Sequence, residues 1–206
     1  KPEYRGRCFV DAEDLFKEWK KNYLSIEKEV FLGNKRFKTI KEMNVKSLES
    51  VFKKFNIKKS PNEFVDKLFY LWSYPKLFPE VRKVLNKLRS YNIGILSNTD
   101  NKTLFSAIKY TGLKPDYVFT SEDIKIYKPN QKIFLRACNK MGLNKESIIY
   151  IGNSLTDIIG AKKFGFKMIW VNRHKILLKN KFYRPDYEIK SLKPLPFILN
   201  KMPPNH

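Results

Sequence analysis

The chain has 206 residues, 42% hydrophobic and 15% aromatic, enough to bury a core and to form one α/β domain or a core with a small insert. No apolar run approaches the ~20 residues of a membrane helix, no secretory signal pattern is visible, and the two distant cysteines (Cys8, Cys138) and two histidines (His174, His206) offer little to a disulfide scaffold, a zinc site or a histidine-based triad; this cysteine usage fits a reducing cytoplasm. The formal charge is +22, but 34 of the 42 basic residues are lysines scattered along the whole chain, which reads as solvated faces and a field favouring small anionic substrates, not as the clustered arginine stripe of a nucleic-acid reader.

Residues 1–10 are polar and basic without a period. From Asp11, a plausible N-cap, Leu15, Trp19, Tyr23 and Ile26 recur at helical spacing. A mixed stretch with a Gly33-Asn34 turn signal follows. Val45, Leu48, Val51, Phe52 and Phe55 predict a second helix, and Ser60-Pro61 opens a third whose buried face holds Phe64, Val65, Leu68 and Trp72. After Pro75 and Pro79 helices and strands alternate. Helices are expected at 80–90, 101–111, 129–141, 155–164 and 191–200, and strands at 93–97, 117–119, 148–152, 167–171 and 187–189. Repeated βα units imply a parallel sheet covered on both faces.

Three strand or loop ends carry polar groups, and ligands of open α/β sheets bind beyond the carboxyl ends of the strands. Ser97-Asn98-Thr99-Asp100 follows Ile93-Gly94-Ile95-Leu96; such a cluster suits an oxyanion or simply caps the next helix. Lys128-Pro129 precedes a helix and offers a point charge for a carboxylate or phosphate. Gly152-Asn153-Ser154-Leu155-Thr156-Asp157 ends an apolar strand and starts a helix, where Asp157 could bind a hard cation or complement the helix dipole.

In this order, strand-Ser97-Asn98, then Tyr127-Lys128-Pro129-Asn130, then Gly152 to Asp157 with Gly160, Ala161 and Gly165, the chain resembles motifs two to four of the haloacid dehalogenase superfamily of hydrolases. Val171-Asn172-Arg173 at a strand end also fits. The resemblance implies a Rossmann-like parallel sheet flanked by helices (residues 1–11 and 79–206) with a small helical cap insert (12–78). It implies that Ser97, Lys128 and Asp157 are catalytic, that Ser97, Asn98 and Lys128 hold the substrate, and that Asp157 with Asn153 takes Mg2+ in a phosphatase acting on a small phosphate monoester. The alternatives are a metal-independent 2-haloacid dehalogenase and a non-catalytic or nucleic-acid-binding relative.

The family's nucleophile is an aspartate on the first strand, which forms an ester that water hydrolyses. Its motif, Asp-x-Asp-x-Thr or, in dehalogenases, Asp-x-x-Gly-Thr, has no match here. The nearest string, Cys8-Phe9-Val10-Asp11-Ala12-Glu13-Asp14-Leu15, lacks the threonine and falls into a helical period. The first, central strand is therefore expected before Lys1. Without it the chain should be inactive and poorly stable, with a gap between the strands ending at Ser97 and Gly152.

Overall fold

The computed structural model describes residues 11–178 and 182–202. Cys8, Phe9 and Val10 of the string nearest to the nucleophile motif lie outside the described residues. The chain divides between Trp72 and Ser73 into two compact units.

The first unit is helical. Asp11 accepts a hydrogen bond from the Glu13 amide (3.0 Å), and Glu13 and Asp14 occupy the first turn of α1 (Ala12–Phe31). Asp11 thus works as a helix cap and not as a strand residue. The helix continues past Ile26 because no breaker intervenes before Gly33. Thr39 and Glu42 form a reciprocal capping box that opens α2 (Ile40–Lys54), and Pro61 opens α3 (Pro61–Trp72), where its missing N–H costs nothing. Leu48, Val51, Phe52, Val65 and Phe69 form the core, with Leu15 and Trp19 packed against it. The Trp19 indole donates to the fully buried Ser47 hydroxyl (2.9 Å), so neither polar group is left unsatisfied.

The second unit alternates as the spacing predicts. In order come α4 (Val81–Lys87), β1 (Gly94–Ser97), α5 (Asn101–Thr111), β2 (Tyr117–Thr120), α6 (Ser121–Ile124), α7 (Gln131–Met141), a 3-10 turn at Lys145–Ser147, β3 (Ile149–Gly152), α8 (Leu155–Phe164), β4 (Lys167–Val171), β5 (Tyr187–Ile189) and α9 (Leu195–Lys201). α6 is too short to leave a period in the sequence; the Thr120 side chain caps it by accepting from the Asp123 amide (2.9 Å). α9 starts only after Pro194, later than the apolar pattern suggests.

Every strand pair is parallel, and helices flank the strands, so the expected α/β class is what the chain forms. The pairing falls into two groups, β1 with β2 and β3-β4-β5. β4 has a neighbour on both sides and is buried at four of its five positions. Met168 and Trp170 face one core with Phe134, Ile158 and Phe166, while Ile169 and Val171 face another with Val84, Leu88 and Leu199. This is the two-sided burial of a parallel sheet. β1 and β3 each have one strand partner among the described residues, and neither has a buried residue.

Candidate active site

The carboxyl ends of β1 and β3 converge on Lys128. The lysine precedes α7, and its main chain is gripped by Asn98 just past β1: Asn98 Oδ1 accepts from the Lys128 amide (2.8 Å) and Nδ2 donates to the Lys128 carbonyl (3.0 Å). This amide-to-peptide pairing spends both ends of the Asn98 side chain on positioning Lys128. Lys128 is 7% exposed, and its ammonium makes three contacts, to the Leu96 carbonyl (2.8 Å), the Tyr150 hydroxyl (3.1 Å) and Asp157 Oδ1 (2.8 Å). An ammonium has three protons, so all are used.

Asp157 sits in the first turn of α8, where its side chain folds back on the turn that starts the helix. Oδ1 accepts from Lys128 and from the Tyr150 hydroxyl (2.9 Å). Oδ2 accepts from the Asn153 amide (3.1 Å), the Ser154 amide (3.0 Å) and the Ser154 hydroxyl (2.7 Å). Five donors therefore meet one carboxylate that is 5% exposed. Gly152 makes this possible, because a Cβ there would lie 2.5 Å from Asp157 Cβ.

Burial alone would raise the pKa of Asp157. The charge of Lys128 and the hydrogen bonds from Lys128 and Ser154 outweigh it and hold the carboxyl below its ordinary range. Burial, and then the neighbouring Asp157 charge, push Tyr150 far above its ordinary value, so it stays a phenol. The unfolded Asp157 binds a proton more readily than the folded one. The pair's stabilisation is thus complete above the ordinary carboxylate pKa of about 3.9 and is lost as pH falls through it towards the lower folded value. Urea midpoints are expected to fall between pH 6 and pH 3, and a midpoint that rises would contradict the pairing.

The fold brings Ser97, Asn98, Lys128 and Asp157 to one end of the sheet layer. Ser97 is half-buried at the end of β1, and its hydroxyl has no hydrogen-bond partner among the described residues. Asn153 enters only through its backbone: the amide donates to Asp157, and the carbonyl accepts from the Trp170 indole (3.3 Å). Tyr150 is the functional candidate that sequence reasoning passed over. The available signal was a tyrosine in a strand otherwise made of isoleucine, since a tyrosine hydroxyl placed in a core needs a partner. Tyr150→Phe is expected to cost about 1–3 kcal/mol by removing one donor from Asp157, read as a drop in urea midpoint at pH 7; an unchanged midpoint would show that the hydroxyl is dispensable.

A family model described as haloacid dehalogenase-like hydrolase matches residues 10–171. (S)-2-haloacid dehalogenase 4A of Burkholderia cepacia is 32% identical over 132 residues, 62% of this chain and 54% of that enzyme, so the match spans about half the relative's length. (S)-2-haloacid dehalogenase 1 of Pseudomonas sp. (strain CBS-3) is 24% identical over 203 residues, 96% of this chain and 86% of that enzyme. A crystal structure of a dehalogenase superposes with a TM-score of 0.77 at 25% identity, covering 94% of this chain and 86% of the other.

These relatives overturn the expectation of a Mg2+-dependent phosphatase. All three are described as dehalogenases, the branch in which the resemblance implies no metal. The Mg2+ site expected at Asp157 and Asn153 falls with it, and the donor set agrees. Both Asp157 oxygens already accept from protein donors, one of them a cation, and the Asn153 side chain takes no part. A hard cation needs free oxygen lone pairs. The Gly152-Asn153-Ser154 string resembles the phosphatase pattern, but which groups claim Asp157 is set by the fold. With the family model covering most of the sequence and the whole architecture in agreement, the chain belongs to the haloacid dehalogenase-like hydrolases.

Proposed function

We propose that the protein hydrolyses the carbon–halogen bond of a small 2-haloacid. The observation that carries this reading is the buried Lys128–Asp157 ion pair at the end of the sheet layer where Ser97 lies, its carboxylate saturated by protein donors. The (S)-2-haloacid dehalogenase relatives support it. In this reading a carboxylate attacks the halogen-bearing carbon, and the halide leaves with the bonding pair. Water then hydrolyses the ester, releasing a 2-hydroxy acid and restoring the carboxylate. Ser97 donates to the substrate carboxylate. Lys128 offsets the negative charge of nucleophile and substrate, and Asp157 with Asn98 holds Lys128 in place.

The nucleophile is assigned to a strand outside residues 11–202, since Asp11 is spent as a helix cap. The helical unit is assigned the role of a cap that selects substrate. The buried free thiol of Cys138 suits a reducing, cytoplasmic setting.

A chloride-release assay with (S)-2-chloropropionate tests the reading. Protein that contains these residues together with the nucleophile aspartate is expected to release chloride, unaffected by chelator and abolished by Lys128→Ala. Release of phosphate from a phosphate ester instead of chloride would overturn the substrate class.

A further inference from the structure

Ser97 and Lys128 reach the site on two separate stretches, one leaving β1 and the other leaving β2, and side chains stitch these stretches together. Asn98 holds the amide and the carbonyl of Lys128. The other stitches start from the end of β2 and the short α6. The Thr120 hydroxyl accepts from the Asp123 amide and donates to Asn101 Oδ1. Ser121, fully buried, donates its hydroxyl to the Thr99 carbonyl (3.2 Å). Glu122, half-buried, accepts from the Asn101 amide (2.7 Å). Asp100 stands at the N-cap of α5, yet the first amide of that helix, Asn101, goes to a side chain from α6. A carboxylate is the acceptor that a helix N-terminus favours.

We propose that Ser121 and Glu122 are positioning residues of the active site: by fixing Thr99 and Asn101 they hold Asn98 where it can grip Lys128. Asn98 lies between Ser97, which the ladder keeps opposite Thr120, and Thr99, which Ser121 holds. Without the second hold, the stretch is anchored on one side only and the Asn98 amide can swing off the Lys128 peptide. The bonds from the ammonium to Leu96, Tyr150 and Asp157 fix only the tip of a flexible four-carbon side chain. Fixing its peptide as well confines the charge to the narrow range that catalysis tolerates. Capping α5 would need Glu122 alone. The Ser121 bond falls on the Thr99 carbonyl, ahead of that helix, and so restrains the stretch leading to Asn98. The kinetic consequence rests on the haloacid reading. Ser97 keeps its place in the ladder, so substrate binding persists, and the loss falls on the step that Lys128 serves.

The test uses 15N-labelled protein that contains these residues together with the nucleophile aspartate. Glu122→Ala is expected to speed amide exchange at Asn101 and at Lys128 by about tenfold, with the amides of β2 and β4 unchanged. Glu122→Gln, which keeps an acceptor for the Asn101 amide, is expected to restore most of the protection. With (S)-2-chloropropionate, Glu122→Ala is expected to lower kcat about tenfold while KM stays within about threefold. Faster exchange at Asn101 but not at Lys128 would reduce Glu122 to a helix cap and overturn the proposal. Exchange that quickens throughout the second unit, absence of rescue by Gln, or a KM that rises while kcat holds would overturn it too. Amide exchange needs no turnover. A parent protein that releases no chloride would therefore count against the haloacid reading, and exchange at Lys128 would still decide the positioning role.

Discussion

Lys128→Met is expected to destabilise the second unit by about 3–5 kcal/mol, the usual cost of removing one partner from a buried ion pair. Methionine preserves much of the volume, so the loss is electrostatic in origin. Asp157 would remain with four donors but no compensating charge in a site that is 5% exposed. Its carboxyl pKa would then move up from its depressed value, because burial is no longer opposed by the Lys128 charge and hydrogen bond. The deficit against the parent chain is therefore greatest at neutral pH and narrows as pH falls through the carboxylate range. Urea unfolding followed at Trp170, with Trp19 and Trp72 replaced by Phe, isolates the second unit. A loss below about 1 kcal/mol, the scale of an exposed pair, or a deficit that widens in acid, would show that the pair is not the electrostatic centre of the site.

Gly152→Ala is expected to cost about 3 kcal/mol, at the upper end for an overpacked position. The new methyl would lie 2.5 Å from Asp157 Cβ and 2.7 Å from Cγ. Asp157 is the first residue to yield, since the alternative is to displace the end of β3 against β4, with which Gly152 is in register at Trp170. Moving the carboxylate stretches its contacts to Lys128, Tyr150 and the Ser154 turn together. The effect should be smaller in the Lys128→Met background, because the two changes damage one network, and such pairs are not additive. A double-mutant cycle reads this directly. Full additivity would mean that Gly152 matters only for local backbone space.

Much of the architecture is legible in the sequence because it depends on groups a few residues apart. The Asp11 cap, the Thr39–Glu42 box, the proline at the start of α3 and the Ser154–Asp157 box each join residues within three positions of one another. Apolar periodicity then separates the helical stretch from the alternating one. The strand-to-helix turn at Gly152 to Asp157 is of the same local kind.

What only the tertiary structure decided is which of those groups meet. Lys128 is one of 34 lysines; the Tyr127-Lys128-Pro129-Asn130 string marks it by resemblance but names none of the groups it meets. It becomes the centre of the site because Asn98, thirty positions away, grips its peptide, and because the path through α7 and β3 returns Asp157 to within 2.8 Å, twenty-nine positions on. Tyr150 joins for the same reason. Whether Asp157 has lone pairs to spare for a cation follows from these distant contacts, and so the metal expectation failed where the helix expectations held. Hydrogen bonds along a helix or turn are set by chain geometry over three or four residues, whereas an ion pair closed across a crossover is set by how helices and strands pack.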